Sequence, residues 1–80
     1  MARPRTVKGV DSSRLRVERI QKDLSQHELG AASNLPASTI AGIELGTRHP
    51  WPAWRKRIAK ALKVPERKLF RELDEVRVSA

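Results

Sequence analysis

The chain has 80 residues, no cysteine, and 17 Lys and Arg against nine Asp and Glu, giving a net charge of +8. So short a chain buries too little surface for a deep catalytic cleft, and without cysteine it has neither disulfides nor thiolate metal sites. The charge indicates a polyanionic partner, and the absence of a long apolar run argues against a membrane span or a signal peptide. We therefore expect a cytoplasmic protein.

The basic residues lie on either side of a segment that has none. Residues 1–22 contain seven Lys and Arg and residues 48–71 contain nine, whereas residues 23–47 contain neither type. Phosphate contacts position a protein on duplex DNA, and the element placed in the groove reads the bases. The pattern is therefore typical of a protein that clamps phosphates on both sides of an inserted helix.

The first predicted segment is a flexible basic arm over residues 1–11, with an idle disordered tail as the alternative. Because arginine on an extended, proline-stiffened segment can enter a narrow minor groove, Arg3 and Arg5 are candidate minor-groove contacts. A serine cap at position 12 or 13 then predicts a first helix that runs to about Lys22.

A second helix is predicted over residues 26–33. Ser25 and Glu28 are three residues apart, the spacing of a capping box in which each side chain bonds the other residue's backbone N–H. Asn34 tolerates the left-handed conformation of a tight turn, and Pro36 suits the first position of the next helix. Two helices joined by such a turn form a helix-turn-helix.

The third predicted helix covers residues 36–45 and ends at Gly46. A fourth begins at Pro52 and reaches about Lys63, and a fifth opens at Pro65. The apolar residues of the fifth helix, which either cap the monomer core or serve a dimer contact, are Leu69, Phe70, Leu73 and Val76. Without any strand pattern, the predicted fold is all-α, with five short helices in a domain over residues 12–73 and a tail over 74–80.

The helix-turn-helix segment and its flanks resemble the Cro/C1 (XRE) family, to which lambdoid phage repressors and Cro proteins belong. The resemblance spans about residues 12–70 and implies a five-helix bundle of the lambda-repressor-like DNA-binding type. The residues that carry it are Arg19-Ile20-Gln21, Leu24-Ser25-Gln26, Glu28-Leu29, Thr39-Ile40, Ile43-Glu44, Gly46, Pro50 and Ala59-Lys60-Ala61-Leu62.

The resemblance also implies roles for individual residues. Arg19 and Glu44 would form a semi-buried ion pair, and the residues that would contact phosphates are Arg19, Ser25, Gln26 and Arg48. The third helix would enter the major groove, where the positions facing base edges are Ala37, Ser38, Thr39, Ala41 and Gly42. Bidentate base recognition needs longer side chains than these, so the helix is short of base readers and shape readout is expected to contribute.

We therefore predict a sequence-specific or shape-reading double-stranded DNA-binding transcriptional regulator that acts as a repressor and forms a homodimer on DNA. The alternative is an antitoxin that binds DNA and a toxin protein. An enzyme is not expected, since no pairing of nucleophile and base is present. No cofactor or metal is expected either, because His27 and His49 are isolated, the chain has no cysteine, and no paired carboxylates lie near either histidine.

Overall fold

The computed structural model describes the backbone of residues 5–78 and the side chains of residues 10–71. Within this part of the chain, five helices lie between two strands, and the helix-turn-helix is formed by the second and third helices. In chain order the elements are β1 (Arg5–Asp11), α1 (Ser13–Gln21), α2 (Gln26–Ser33), α3 (Ala37–Leu45), α4 (Pro52–Leu62), α5 (Glu66–Leu69) and β2 (Arg71–Val78).

Each of the first four helices is followed, within two residues of its end, by a residue in the left-handed conformation. These residues have φ between 58° and 80°. In each case the next residue donates its N–H to the carbonyl five positions earlier, as in Thr47 to Gly42 at 2.9 Å and Leu35 to Gly30 at 2.8 Å. This Schellman arrangement satisfies carbonyls that a helix end otherwise leaves unpaired, and it turns the chain sharply. The four residues are Asp23, Asn34, Gly46 and Lys63.

The helix starts differ more. The capping box predicted for α2 is present, with Glu28 N–H donating to Ser25 Oγ at 3.0 Å and Ser25 N–H to Glu28 Oε1 at 2.8 Å. At α1 the predicted serine cap is absent: the Ser12 side chain makes no capping bond. Asp11 takes that place, because its carboxylate accepts the Ser13 N–H at 2.9 Å.

A single hydrophobic core holds the helices together. Its fully buried members come from every helix, and Val10, Leu35 and Trp54 are among the partly buried residues packed against it. Burial of each large aliphatic side chain contributes roughly 1.5–3 kcal/mol. The core residues are Leu15, Leu29, Ile40, Ile43, Ile58, Ala59, Leu62, Leu69 and Phe70.

Gly30 fixes the spacing at the turn of the helix-turn-helix. A methyl group at this position would lie 2.5 Å from the Leu35 carbonyl oxygen and 3.3 Å from the Ala37 nitrogen. The absence of a side chain at Gly30 therefore lets the backbone of the turn and of the start of α3 lie directly against α2.

The two ends of the described chain form an antiparallel strand pair, which the sequence analysis did not predict. Asp11 is paired with Arg71 and Val7 with Val76, and the register shifts between Val7 and Gly9. The fifth helix is correspondingly short, because Phe70 is already extended. Residues 5–11 therefore differ from the expected irregular arm, and residues 71–78 differ from the expected continuation of the fifth helix and from an irregular tail.

The pairing has a local cause. Val10 packs against the core and Phe70 is buried in it, so the two chain ends leave the helical body side by side. The register then pairs their neighbours directly outside the core. The prediction of an arm rested on Pro4, Gly9, three basic residues and the lack of periodicity, and it gave no weight to the β-branched residues among them.

Candidate nucleic-acid interface

Helix α3 has one face in the core and one face turned outward. Ile40 and Ile43 are fully buried, and Thr39 beside them is only 5% exposed. Thr39 was expected to face base edges, but it lies on the buried side of the helix. The other four expected base-facing residues are on the opposite side, where Ser38 is exposed and Ala37, Ala41 and Gly42 are partly exposed.

Leu45 belongs to the same outward face and was missed by the sequence analysis. It follows Ser38 by seven positions and Ala41 by four, so the three lie along one side of the helix. Leu45 is 77% exposed, the most exposed of the large hydrophobic residues in the part of the chain that the structure describes. The signal was available, since Leu45 falls outside the apolar spacing set by Ile40 and Ile43.

Arg48 lies across the outward face at Gly42. A methyl group at Gly42 would be 3.0 Å from Arg48 Cβ and 3.6 Å from Arg48 Nε. The Gly42 carbonyl holds the loop there, because it accepts the N–H groups of Thr47 at 2.9 Å and Arg48 at 3.1 Å and the Thr47 hydroxyl at 3.3 Å. The missing side chain at Gly42 therefore leaves room for the arginine of the following loop.

Arg19 and Glu44 form the expected ion pair between α1 and α3. Arg19 Nε donates to Glu44 Oε2 at 2.7 Å and Nη2 donates to Oε1 at 3.2 Å, while Nη1 donates to the Leu24 carbonyl at 2.7 Å. The side chains are only 11% and 3% exposed. The hydrogen bonds to Glu44 raise the pKa of the Arg19 guanidinium above its ordinary value.

Gln26 connects this pair to the start of α2. Its side-chain Nε2 donates to Glu44 Oε1 at 3.1 Å, which fixes the amide beside the helix N-terminus. At the same end, the backbone N–H of Ser25 binds the Glu28 carboxylate and lowers the pKa of that group. Three expected phosphate contacts, Arg19, Ser25 and Gln26, are thus brought together around the beginning of α2.

The comparisons with known proteins identify this arrangement. The family model described as helix-turn-helix matches residues 15–69, which is more than half of the chain. The chain belongs to the Cro/C1-type helix-turn-helix family. It is a DNA-binding regulator, and its partner is double-stranded DNA.

Among solved structures, the chain is similar to the restriction-modification controller protein C.AhdI from Aeromonas hydrophila. The two are 37% identical, with a TM-score of 0.71, and the match covers 74% of this chain and 89% of the controller. A comparison with curated proteins finds none that matches.

The described part of the expected minor-groove arm forms a strand. Arg5 lies in β1, paired in register with Val78, so it is part of a strand instead of a free arm. Arg3 lies outside the described residues. Both arginines were inferred from their place on an extended, proline-stiffened segment, and that pattern gives no information on whether the segment finds a partner strand.

The loop of the helix-turn-helix protein between α3 and α4 also carries an aromatic pair. His49 and Trp51 meet edge to face, with ring centroids 4.6 Å apart, and both are exposed, while Pro50 between them is buried. No cluster of three or more metal-ligating side chains occurs among the residues searched, which are those the structure describes. Over the same residues, no helix has the length and apolar character needed to cross a membrane.

Proposed function

We propose that this regulator places α3 in the major groove of an operator and represses the genes beside it. The observation that carries the proposal is the outward face of α3, which is exposed, free of bulky side chains except Leu45, and crossed by Arg48 at Gly42. Small residues let a helix approach the groove floor closely, and Leu45 and Ala37 offer apolar contact to thymine methyl groups.

Arg48 supplies the base readout that α3 itself lacks. The resemblance assigns this residue to a phosphate, but its side chain packs over the face of α3 that the proposal turns toward the bases. Arginine binds guanine O6 and N7 with two hydrogen bonds, which is the commonest specific base contact. Arg48 therefore contacts the bases from the loop after α3, in the space that a long side chain at position 42 would otherwise fill.

Phosphate contacts set the position of the helix. The first backbone N–H groups of α2, beside the Gln26 amide, suit a phosphate of one strand, since helix N-termini attract anions. Three of the five N–H groups of Arg19 are already bonded within the protein. Arg19 therefore assists mainly by holding Glu44, and through it Gln26, in place. A homodimer then places its two α3 helices about one helical turn apart, on two half-sites.

The similarity to a restriction-modification controller supports a role in the control of restriction and modification genes. Its 37% identity over most of the controller's length favours this assignment over the antitoxin alternative, for which the described surface offers no specific feature. The antitoxin would instead be favoured if a toxin-like protein co-purified with this chain and if mutation of a surface of this chain away from α3 abolished that binding.

The test begins with selection of bound duplexes from a random pool, followed by footprinting. We expect two related half-sites about one turn apart, containing guanine where Arg48 reaches. Arg48→Lys keeps the charge and loses the two-pronged geometry, so it should lower affinity for the selected site by about 1–3 kcal/mol and affinity for random DNA much less.

Ser38→Ala and a chain lacking residues 1–8 serve as comparisons on the same two duplexes. If Arg48→Lys weakens binding to both duplexes equally, Arg48 is a phosphate contact and carries no sequence information. A single unrepeated site occupied by one copy would rule out the proposed dimer.

A further inference from the structure

Helix α4 carries an unusual concentration of positive charge. It contains Arg55, Lys56, Arg57 and Lys60 and no acidic residue, and Lys63 follows at its end. Like charges four positions apart, as at Lys56 and Lys60, destabilise a helix slightly. A helix-end position favours a cation and explains Lys60 in part.

Two of these cations line a groove between α4 and the C-terminal end of α2. The groove is open to solvent, has a volume of about 390 Å³, and is lined by Ala32, Ser33, Asn34, Arg57, Lys60 and Ala61. The small residues leave the space between the helices empty. The Ser33 hydroxyl is turned inward, donating to the Leu29 carbonyl at 2.7 Å, so the polar character of the groove comes mainly from the two cations.

Arg57 is held at the groove by the turn of the helix-turn-helix. Its Nη1 donates to the Asn34 carbonyl at 3.2 Å. This bond uses one of the five guanidinium N–H groups and leaves the others available. Neither Arg57 nor Lys60 forms an ion pair with any residue whose side chain the structure describes. The groove therefore presents two uncompensated cations, one of them already positioned.

We propose that this groove binds a backbone phosphate of the operator, on the strand opposite the one held by the start of α2. This inference rests on the proposed function. Its geometric basis is the length of α2: eight residues span about 12 Å, and the major groove of B-DNA is about 12 Å wide. The two ends of α2 then hold phosphates on the two edges of the groove, and α3 lies between them.

The test compares two double variants that lose the same charge. Arg57→Gln with Lys60→Gln removes both groove cations, and Arg67→Gln with Lys68→Gln removes two exposed cations of α5 that do not line the groove. Affinity is measured against salt concentration on the selected duplex and on a random duplex. Each lost phosphate contact lowers the slope of log affinity against log salt by about 0.9.

We expect the groove variant to lower the slope by about 0.9 for each bound protomer, or about 1.8 for a homodimer, on both duplexes alike, since phosphates carry no sequence, and the α5 variant to leave it nearly unchanged. Arg57→Lys with Lys60→Arg keeps the charges and should retain the slope. Thermal unfolding of each variant shows that the fold is intact.

Equal slopes for the two neutralised variants would overturn the groove assignment. So would a groove variant whose slope is unchanged and whose self-association is weaker, because that result would mean that the groove contacts a protein partner. In both cases the unaltered protein still binds its operator. Failure of the unaltered protein to bind any duplex would instead refute the proposed function.

Discussion

Arg19 and Glu44 are a case in which two residues stabilise the fold only as a pair. Removal of Arg19 leaves the Glu44 carboxylate in a site where its side chain is 3% exposed, with the Gln26 amide as its remaining described partner. Breaking a buried ion pair on one side costs about 3–5 kcal/mol. We therefore expect Arg19→Ala to lower the free energy of unfolding by an amount in that range.

A double-mutant cycle measures the coupling. Arg19→Ala combined with Glu44→Ala should cost clearly less than the sum of the single changes in urea denaturation, because the second change removes the stranded charge. The control is the cycle at Arg14 and Glu18, whose side chains meet at 3.3 Å with Arg14 mostly exposed and should couple by less than about 1 kcal/mol. Additive costs at Arg19 and Glu44 would contradict the proposed dependence.

How far a residue's role can be predicted from the sequence depends on how local its cause is. The Ser25 and Glu28 capping box depends on a spacing of three and was predicted correctly. The burial of Thr39 depends on the direction in which α3 packs, and the position of Arg48 depends on a glycine six residues earlier. Both are consequences of tertiary packing that residue type alone does not reveal.

At the scale of elements, the helices are short and their stability depends on how they end. Gly46 and Asn34 suit the left-handed conformation, whereas Lys63 adopts the same conformation with a φ of 59° despite its long side chain. The left-handed region costs a residue with a Cβ roughly 1–2 kcal/mol. Lys63 is therefore a position where the sequence of α4 conflicts with its C-terminal turn.

Lys63→Gly should raise the free energy of unfolding by about 0.5–1 kcal/mol, since relief of the strained conformation exceeds the extra entropy that glycine gains in the unfolded chain. Lys63→Ala is the matched control, because it removes the same charge and keeps the Cβ. Chemical denaturation of both variants and of the unaltered protein gives the comparison. A Lys63→Gly protein no more stable than Lys63→Ala would show that the turn stores no strain.

For the molecule as a whole, the five helices were predictable and the strand pair was not. Helix starts, turns and apolar spacing are encoded within a few residues, so the order of α1 to α5 followed from the sequence. The pairing of β1 with β2 joins residues at least 60 positions apart, and it arises because Val10 and Phe70 both pack in the core. Local patterns do not report such a contact.

The strand pair should contribute little to the stability of the helical body. The buried core lies between Leu15 and Phe70, and a two-stranded antiparallel pair is marginally stable on its own in water. A chain lacking residues 1–8 loses the partners of Val76, Arg77 and Val78 and keeps Val10 and Asp11, which contact the core and the start of α1.

We expect that shortened chain to unfold cooperatively in urea, with a free energy of unfolding reduced by at most about 1 kcal/mol, because the helices keep every core contact described for residues 15–70. Far-ultraviolet circular dichroism follows the helices directly during the titration. A chain lacking residues 72–80 is the matched control, since it removes the other strand of the same pair and should behave alike. A loss of several kcal/mol, or a broad transition in either chain, would mean that the strands and the helices fold as one unit.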